Sequence, residues 1–164
     1  MSKPRPVAYL LTGLPGSGKS TYAKALELRG VVRLSVDDQM TALHGRFGKD
    51  YPEDEYFTRL APVVAEMRLQ LIQRLEAGYS VVFDHALRRR TDRDEYKRLV
   101  TECGGQWRLI HFQVSREELL RRLAERNSDP RYWLISAETL TLIAEASEDP
   151  VDEGEEMPDP YLEH

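Results

Sequence analysis

The residues Gly13-Leu14-Pro15-Gly16-Ser17-Gly18-Lys19-Ser20 fit the spacing G-x-x-x-x-G-K-[ST], and every fixed position has a chemical reason. Glycines let backbone N–H groups close around phosphate oxygens, and a helix N-terminus behind them adds partial positive charge. Lys19 has the reach for the β- and γ-phosphates, and the Ser20 hydroxyl suits Mg²⁺. Gly13, Pro15, Gly16, Ser17, Gly18, Lys19, Ser20 and Thr21 therefore form the predicted binding segment for ATP with Mg²⁺. A plain glycine-rich turn is the alternative. The flanks argue against it, because the apolar run Val7–Leu11 reads as a buried strand and Thr21–Leu28 as a helix ending near Gly30.

Phosphate binding does not by itself name a reaction; three further features narrow it. Ser35-Val36-Asp37-Asp38 follows a second apolar strand, and in a parallel sheet strand carboxyl ends face the ligand crevice. A carboxylate there can orient an acceptor hydroxyl and take its proton, and Asp37 is the candidate. Asp38 is the alternative, and Ser35-x-x-Asp38 is also a capping box in which either acid serves only the helix. Asp84 closes the strand Ser80-Val81-Val82-Phe83-Asp84, where a carboxylate touches Mg²⁺ through water or contacts the acceptor. A salt bridge to one of Arg88-Arg89-Arg90 is its structural alternative, and His85 reads as a loop histidine. Finally, Arg122 and Arg126 share one face of an arginine-rich helix, with Arg131 beyond it. They are predicted to stabilise charge on the transferring phosphoryl group, whereas Arg121 is accounted for by pairing with Glu117, Glu118 or Glu125.

Strand and helix patterns alternate along the chain, which predicts an α/β domain with a parallel sheet of about five strands and a helix after each. Val31–Leu34 and Trp107–Phe112 supply two more strands, the latter interrupted by Arg108 and His111. A helical pattern runs from Pro52 to Ala77, with Pro62 as a kink or boundary. Thr91-x-x-Asp94 and Ser115-x-x-Glu118 resemble capping boxes, and a last helix spans Ser136 to Ala146. Asn127-Ser128-Asp129-Pro130 suits the hinge of a helical lid that closes over ATP.

At 164 residues the chain is long enough for one well-cored domain, placed at residues 1–147. One cysteine, Cys103, excludes an intrachain disulfide and a cysteine-based metal site. No apolar run approaches a membrane span, so a soluble, cytoplasmic protein without membrane partners is expected. The net charge of −5 hides an asymmetry. Residues 148–164 hold eight acids and no Lys or Arg, and the remainder carries 23 basic against 20 acidic residues, a mild excess suited to anionic phosphates. That acidic, Pro-containing tail reads as extended or loosely attached, and Leu162-Glu163-His164 as the start of an expression tag. A GTPase would need a guanine-reading N-K-x-D, which is absent.

Together, Gly13–Thr21 (GLPGSGKST), Leu34–Asp38 (LSVDD), Val81–Leu87 (VVFDHAL) and Leu119–Ser128 (LLRRLAERNS) resemble the small P-loop kinases of the AAA-type ATP-binding group, which includes polynucleotide kinase, chloramphenicol phosphotransferase and zeta toxins. The resemblance implies a three-layer P-loop kinase-like fold with a helical lid and an ATP-dependent phosphotransferase acting on an alcohol group. It places the base on Asp37 and lid arginines on Arg126 and Arg131. Two departures concern the acceptor: Met40 stands where polynucleotide kinase has an acceptor-binding arginine, and Asp84-His85 replaces the Asp-Thr of many relatives. A small-molecule hydroxyl is the expected acceptor. The rivals are a 5′-hydroxyl polynucleotide kinase using the arginines from Arg88 to Arg98 with Tyr96 or Trp133 as stacking platforms, and an ATP-binding switch that presents its acidic tail to a protein.

Overall fold

The computed structural model describes residues 4–129 and 135–162. Its elements, in chain order, are β1 (Val7–Gly13), α1 (Lys19–Leu28), β2 (Val32–Ser35), α2 (Val36–His44), a 3-10 turn at Glu53–Glu55, α3 (Tyr56–Glu76), β3 (Val81–Asp84), α4 (Arg90–Glu102), β4 (Gln106–Phe112), α5 (Arg116–Asn127), α6 (Ala137–Glu145), β5 (Glu155–Glu156) and a closing 3-10 turn at Pro160–Leu162. The strands form one parallel sheet in the order β2-β3-β1-β4-β5. This is the three-layer α/β arrangement expected.

Alternation along the central strands explains the layers. Ala8 and Leu10 of β1, Val81 and Phe83 of β3, and Leu109 of β4 join the core with α2, α3 and α4. Leu11, Val82, Ile110 and Phe112 face the opposite way and pack on Tyr22, Ala23 and Leu26 of α1. Side chains of period two thus feed two cores from one sheet. A third, smaller cluster joins Leu119 and Leu123 of α5 to Leu140 of α6, with Leu14 of the glycine-rich loop packed against it. That contact seats the α5–α6 unit directly on the loop.

Several local expectations hold and some do not. Ser35 caps α2 by accepting from the Asp38 amide, and Ser115 caps α5 by accepting from the Glu118 amide. The Thr91 box fails, because α4 starts at Arg90, its first turn closed by the Arg93 amide on the Arg89 carbonyl, and no side chain caps it. Burial of Arg93 sets the phase of that helix and leaves Thr91 inside the first turn. Pro62 neither ends nor divides α3, which runs through it for 21 residues. It lies nearly two turns inside, where it removes the amide that would have bonded the Thr58 carbonyl, and the helix continues past that gap.

The tail departs furthest from expectation, because it is built into the sheet rather than loosely attached. Glu153 is buried against Arg93, Glu156 pairs with Arg108 at 2.7 Å, and residues 155–156 extend the sheet beside β4. Leu162, read as tag sequence, is buried in the α1-side core. Acid content predicted an unattached segment because the arginine partners lie some fifty residues away in sequence. Arg131, Trp133, the end of the hinge at Pro130, and Glu163-His164 lie outside the described residues.

Candidate active site

The cleft begins where β1 ends. Gly13 pairs in register with Phe112 of β4, and a Cβ on Gly13 would meet Ser17 Oγ at 2.7 Å and Phe112 Cβ at 2.9 Å. Only glycine lets the loop turn there. Gly16 and Gly18 take positive φ, 83° and 103°, so the chain curls back with its amides inward. Gly18 then caps α1 without any side-chain hydrogen bond, and no acid occupies the first turn. Helices α2, α5 and α6, by contrast, are capped by Ser35, Ser115 and Ser136 and carry acids in their first turns. The amides and dipole of α1 therefore remain for an external anion.

Lys19 secures the loop from within. Its Nζ donates to the carbonyls of Gly13 and Leu14, both at 2.8 Å, and to Ser17 Oγ at 3.3 Å. Burial and then the Arg88 charge lower its pKa to about 8, against the raising influence of Asp84 and Asp37. Ser20 and Thr21 are solvent-exposed in the first turn of α1, and Pro15 is half-buried in the loop.

Strand register places the carboxylates. Ser35 of β2 is paired with Asp84 of β3, and β3 lies between β2 and β1. Asp84 consequently sits between the loop and the start of α2. One of its oxygens, Oδ1, is 3.4 Å from Ser20 Oγ, and the other accepts from Arg33 Nη2 at 2.8 Å and Nε at 3.1 Å. The salt-bridge partner is thus Arg33 and none of Arg88–Arg90. Arg33 also binds Asp38 at 2.7 Å, and Asp38 faces solvent in that ion pair. A hydroxyl beside the carboxylate oxygen that Arg33 leaves unbound suits Mg²⁺, which prefers one or two protein oxygens plus substrate phosphates to an all-protein cage. Among the described residues no cluster of three or more His, Cys, Asp or Glu offers such a cage.

Asp37, unlike Asp38, makes no ion pair and opens to solvent from inside the cleft. Surrounding protein and then the Asp84 charge raise its pKa, while Lys19, Arg126 and Arg88 oppose that rise. A carboxylate within the field of the loop lysine and two arginines can orient and deprotonate a hydroxyl next to a bound phosphate. Beyond it stands an aromatic wall that sequence reasoning missed. Burial and then the Asp37 charge push the Tyr56 phenol up to about 12. The Tyr51 hydroxyl is buried without a hydrogen-bond partner among the described residues, and Arg59 stacks on its ring at 5.1 Å. His85 is kept neutral by burial and then by Arg88 and Lys19, its pKa lowered to about 4.

Helix α5 brings Arg122 and Arg126 to the loop side. Arg122 Nη1 donates to the Gly16 carbonyl at 3.1 Å and its Nε to Glu118 at 3.0 Å, while Arg126 acts electrostatically on Lys19 and Asp37. Arg121 is spent on Glu118 and Glu125, as expected. Asn127 bridges to Ile135, donating to its carbonyl at 2.8 Å and accepting from its amide at 3.0 Å, which ties the last residue of α5 to the residue before the Ser136 cap of α6. A cavity of about 390 Å³ adjoins the loop, lined among others by Gly13, Leu14, Arg88, His111, Ser115 and Asp149. Of the residues weighed as a nucleic-acid platform, Tyr96 is buried against Phe83, Arg93 is buried and Arg90 lies 3.8 Å from Asp94, while Trp133 lies outside the described residues. Among the described residues no helix is long and apolar enough to cross a membrane.

Solved structures carry the same fold. A protein of Chloroflexus aurantiacus assigned as a kinase superposes with a TM-score of 0.75 at 21% identity, over 95% of this chain and 85% of its own. A gluconokinase of Sinorhizobium meliloti gives 0.64 at 20% identity, covering 98% of this chain and 87% of that one. The Pnkp1/Rnl/Hen1 RNA repair complex contains a chain with a TM-score of 0.68 at 20% identity; the match spans 88% of this chain but only 44% of that one. No curated protein matches the chain by sequence. Residues 9–145, running from β1 through α6, match the AAA domain family AAA_33, and the chain belongs to that family as a P-loop kinase-like domain.

Proposed function

We propose that this protein is an ATP-dependent phosphotransferase that moves the γ-phosphoryl group of ATP to a hydroxyl of a small molecule. The observation that carries the reading is the convergence of an uncapped loop and helix, the Ser20–Asp84 pair and an unpaired Asp37 in one cleft. Loop amides and Lys19 hold the phosphate chain, and Ser20 with Asp84 would hold Mg²⁺, which neutralises phosphate charge when bound. Asp37 takes the acceptor proton, and Arg122 and Arg126, with Arg131 from outside the described residues, offset charge on the phosphoryl oxygens. The aromatic wall of Tyr51 and Tyr56 beside Asp37 favours a compact acceptor over a polymer. The internal pairing of Glu153 and Glu156 argues against a tail reserved for a protein partner.

Incubation with γ-labelled ATP and Mg²⁺ against pooled small hydroxyl compounds, with 5′-hydroxyl oligonucleotides as a separate arm, tests this reading. Label should enter a small hydroxyl compound. Label confined to the oligonucleotides would make it a polynucleotide kinase, and label released only as inorganic phosphate would make it a switch or simple ATPase.

A further inference from the structure

Among the described residues, the most heavily buried charged side chains lie outside the proposed machinery. Arg93 and Glu153 meet fork to fork at 2.8 and 3.0 Å, with side-chain exposures of 0% and 2%. Burying such a pair gains little stability over apolar residues of the same shape, so its worth is best sought in what it positions. Arg93 spends its remaining nitrogen, Nη1, on the carbonyl of Leu87 at 3.0 Å. The Leu87 amide donates to Leu11 of β1 at 3.0 Å, and the Arg88 carbonyl accepts from the Glu148 amide at 2.7 Å. The turn that follows β3 is thereby fixed to the central strand, to α4 and to the C-terminal segment.

Upon that fixed turn stands Arg88. Two nearby arginines are committed, Arg33 to Asp38 and Asp84 and Arg93 to Glu153. The Arg88 guanidinium has no hydrogen-bond or ion-pair partner among the described residues. It lines the 390 Å³ cavity beside Gly13 and Leu14, and of the charges acting on Lys19 its own is the largest. An uncommitted guanidinium on a rigid base, next to the phosphate-loop lysine, is the arrangement that bidentate phosphoryl recognition requires.

We propose that Arg88 grips the γ-phosphoryl group of bound ATP, and that Glu153, Arg93 and the Glu148 amide are positioning groups that hold it there. The C-terminal segment is then part of the site. This inference rests on the nucleotide-binding reading of the loop but not on the identity of the acceptor.

Calorimetry with Mg²⁺ and either ADP or a β,γ-imido analogue of ATP tests it. In Arg88→Ala, ADP affinity should stay within about twofold of wild type while analogue affinity falls by about tenfold or more, the usual worth of a charge-assisted contact. Arg88→Lys should recover part of that loss. Arg93→Met/Glu153→Leu fills the pair's volume with apolar atoms, and Glu148→Pro deletes the amide donor at an exposed position. Both should remain folded by circular dichroism and bind ADP normally, yet lose preference for the triphosphate. A purely structural pair would shift the melting temperature and leave that preference intact. An unchanged analogue-to-ADP ratio in Arg88→Ala overturns the role of Arg88. An unchanged ratio in whichever of the two positioning variants folds overturns the strap. Wild-type protein that binds neither nucleotide defeats the loop reading itself, a failure recognisably different from either.

Discussion

The two sides of the cleft are assembled by different means, and the difference accounts for what each can tolerate. On the phosphate side, eight consecutive residues supply backbone amides, two positive-φ glycines and a lysine that binds the loop's own carbonyls. On the side proposed for the acceptor, the groups are side chains from β2, β3, α2 and the segment before α3, set in place by strand register and by Arg33. The first is local and covalently continuous. The second depends on contacts between residues about fifty apart.

Substitutions should expose this contrast. The largest effect is expected on the phosphate side. Lys19→Ala removes the cation that neutralises the phosphates and the donor that holds Gly13 and Leu14, so ATP turnover should fall below detection while circular dichroism stays that of the folded protein. Calorimetry checks it, and wild-type ATP affinity and turnover would remove the loop from the mechanism.

Next in size is damage to the acceptor side through its support. Arg33→Met leaves Asp84 buried without its guanidinium, and loss of one member of a buried pair costs about 3–5 kcal/mol. Both side chains are less than a tenth exposed, which keeps the estimate near that range. Denaturant unfolding should record the loss, whereas Mg²⁺-free ADP binding at the loop should be nearly unchanged at temperatures where the variant is folded. Equal loss at both ends would mean that the two sides are not separable.

The smallest expected effect is a pH dependence that sharpens the assignment of Lys19. Its pKa is lowered to about 8 from 10.5, and bound phosphates favour its charged form. Below pH 8 the lysine is already protonated and ATP affinity should be flat. As pH rises past 8, binding must take up a proton, so affinity should fall by up to about tenfold per pH unit. Titrations in buffers of different ionisation enthalpy would show that uptake; a flat profile to pH 9.5 would contradict the lowered pKa.

Legibility followed the same divide. Gly13–Ser20 and the strands around it could be read because their meaning lies in adjacent residues, and Ser35, Ser115 and Ser136 announce their helices for the same reason. Arg33 is harder to read, being a lone cation in a short strand whose partner Asp84 becomes its neighbour only through the β2–β3 register. Arg88 was hidden inside a run of three arginines that reads as a solvated helix start. Tyr51 lies in the α3-side core with Tyr56 packed against it, and nothing in their local sequence ties them to the cleft. The tail misled because its acids were counted without their distant partners. One signal was available: an arginine within an otherwise buried strand demands a carboxylate, and Asp84 ends the neighbouring strand.

The central claim is that Asp37 acts on the acceptor while Asp38 only supports the frame, and a pair of isosteric substitutions measures it most directly. With a confirmed acceptor, single-turnover transfer from γ-labelled ATP should drop by roughly 10²–10⁴-fold in Asp37→Asn, the usual worth of a positioned base, with ATP affinity close to wild type. In Asp38→Asn, which keeps size and loses only an exposed ion pair to Arg33, transfer should stay within severalfold of wild type. Intact transfer in Asp37→Asn with collapse in Asp38→Asn would reverse the assignment, and full activity in both folded variants would show that neither carboxylate is the base.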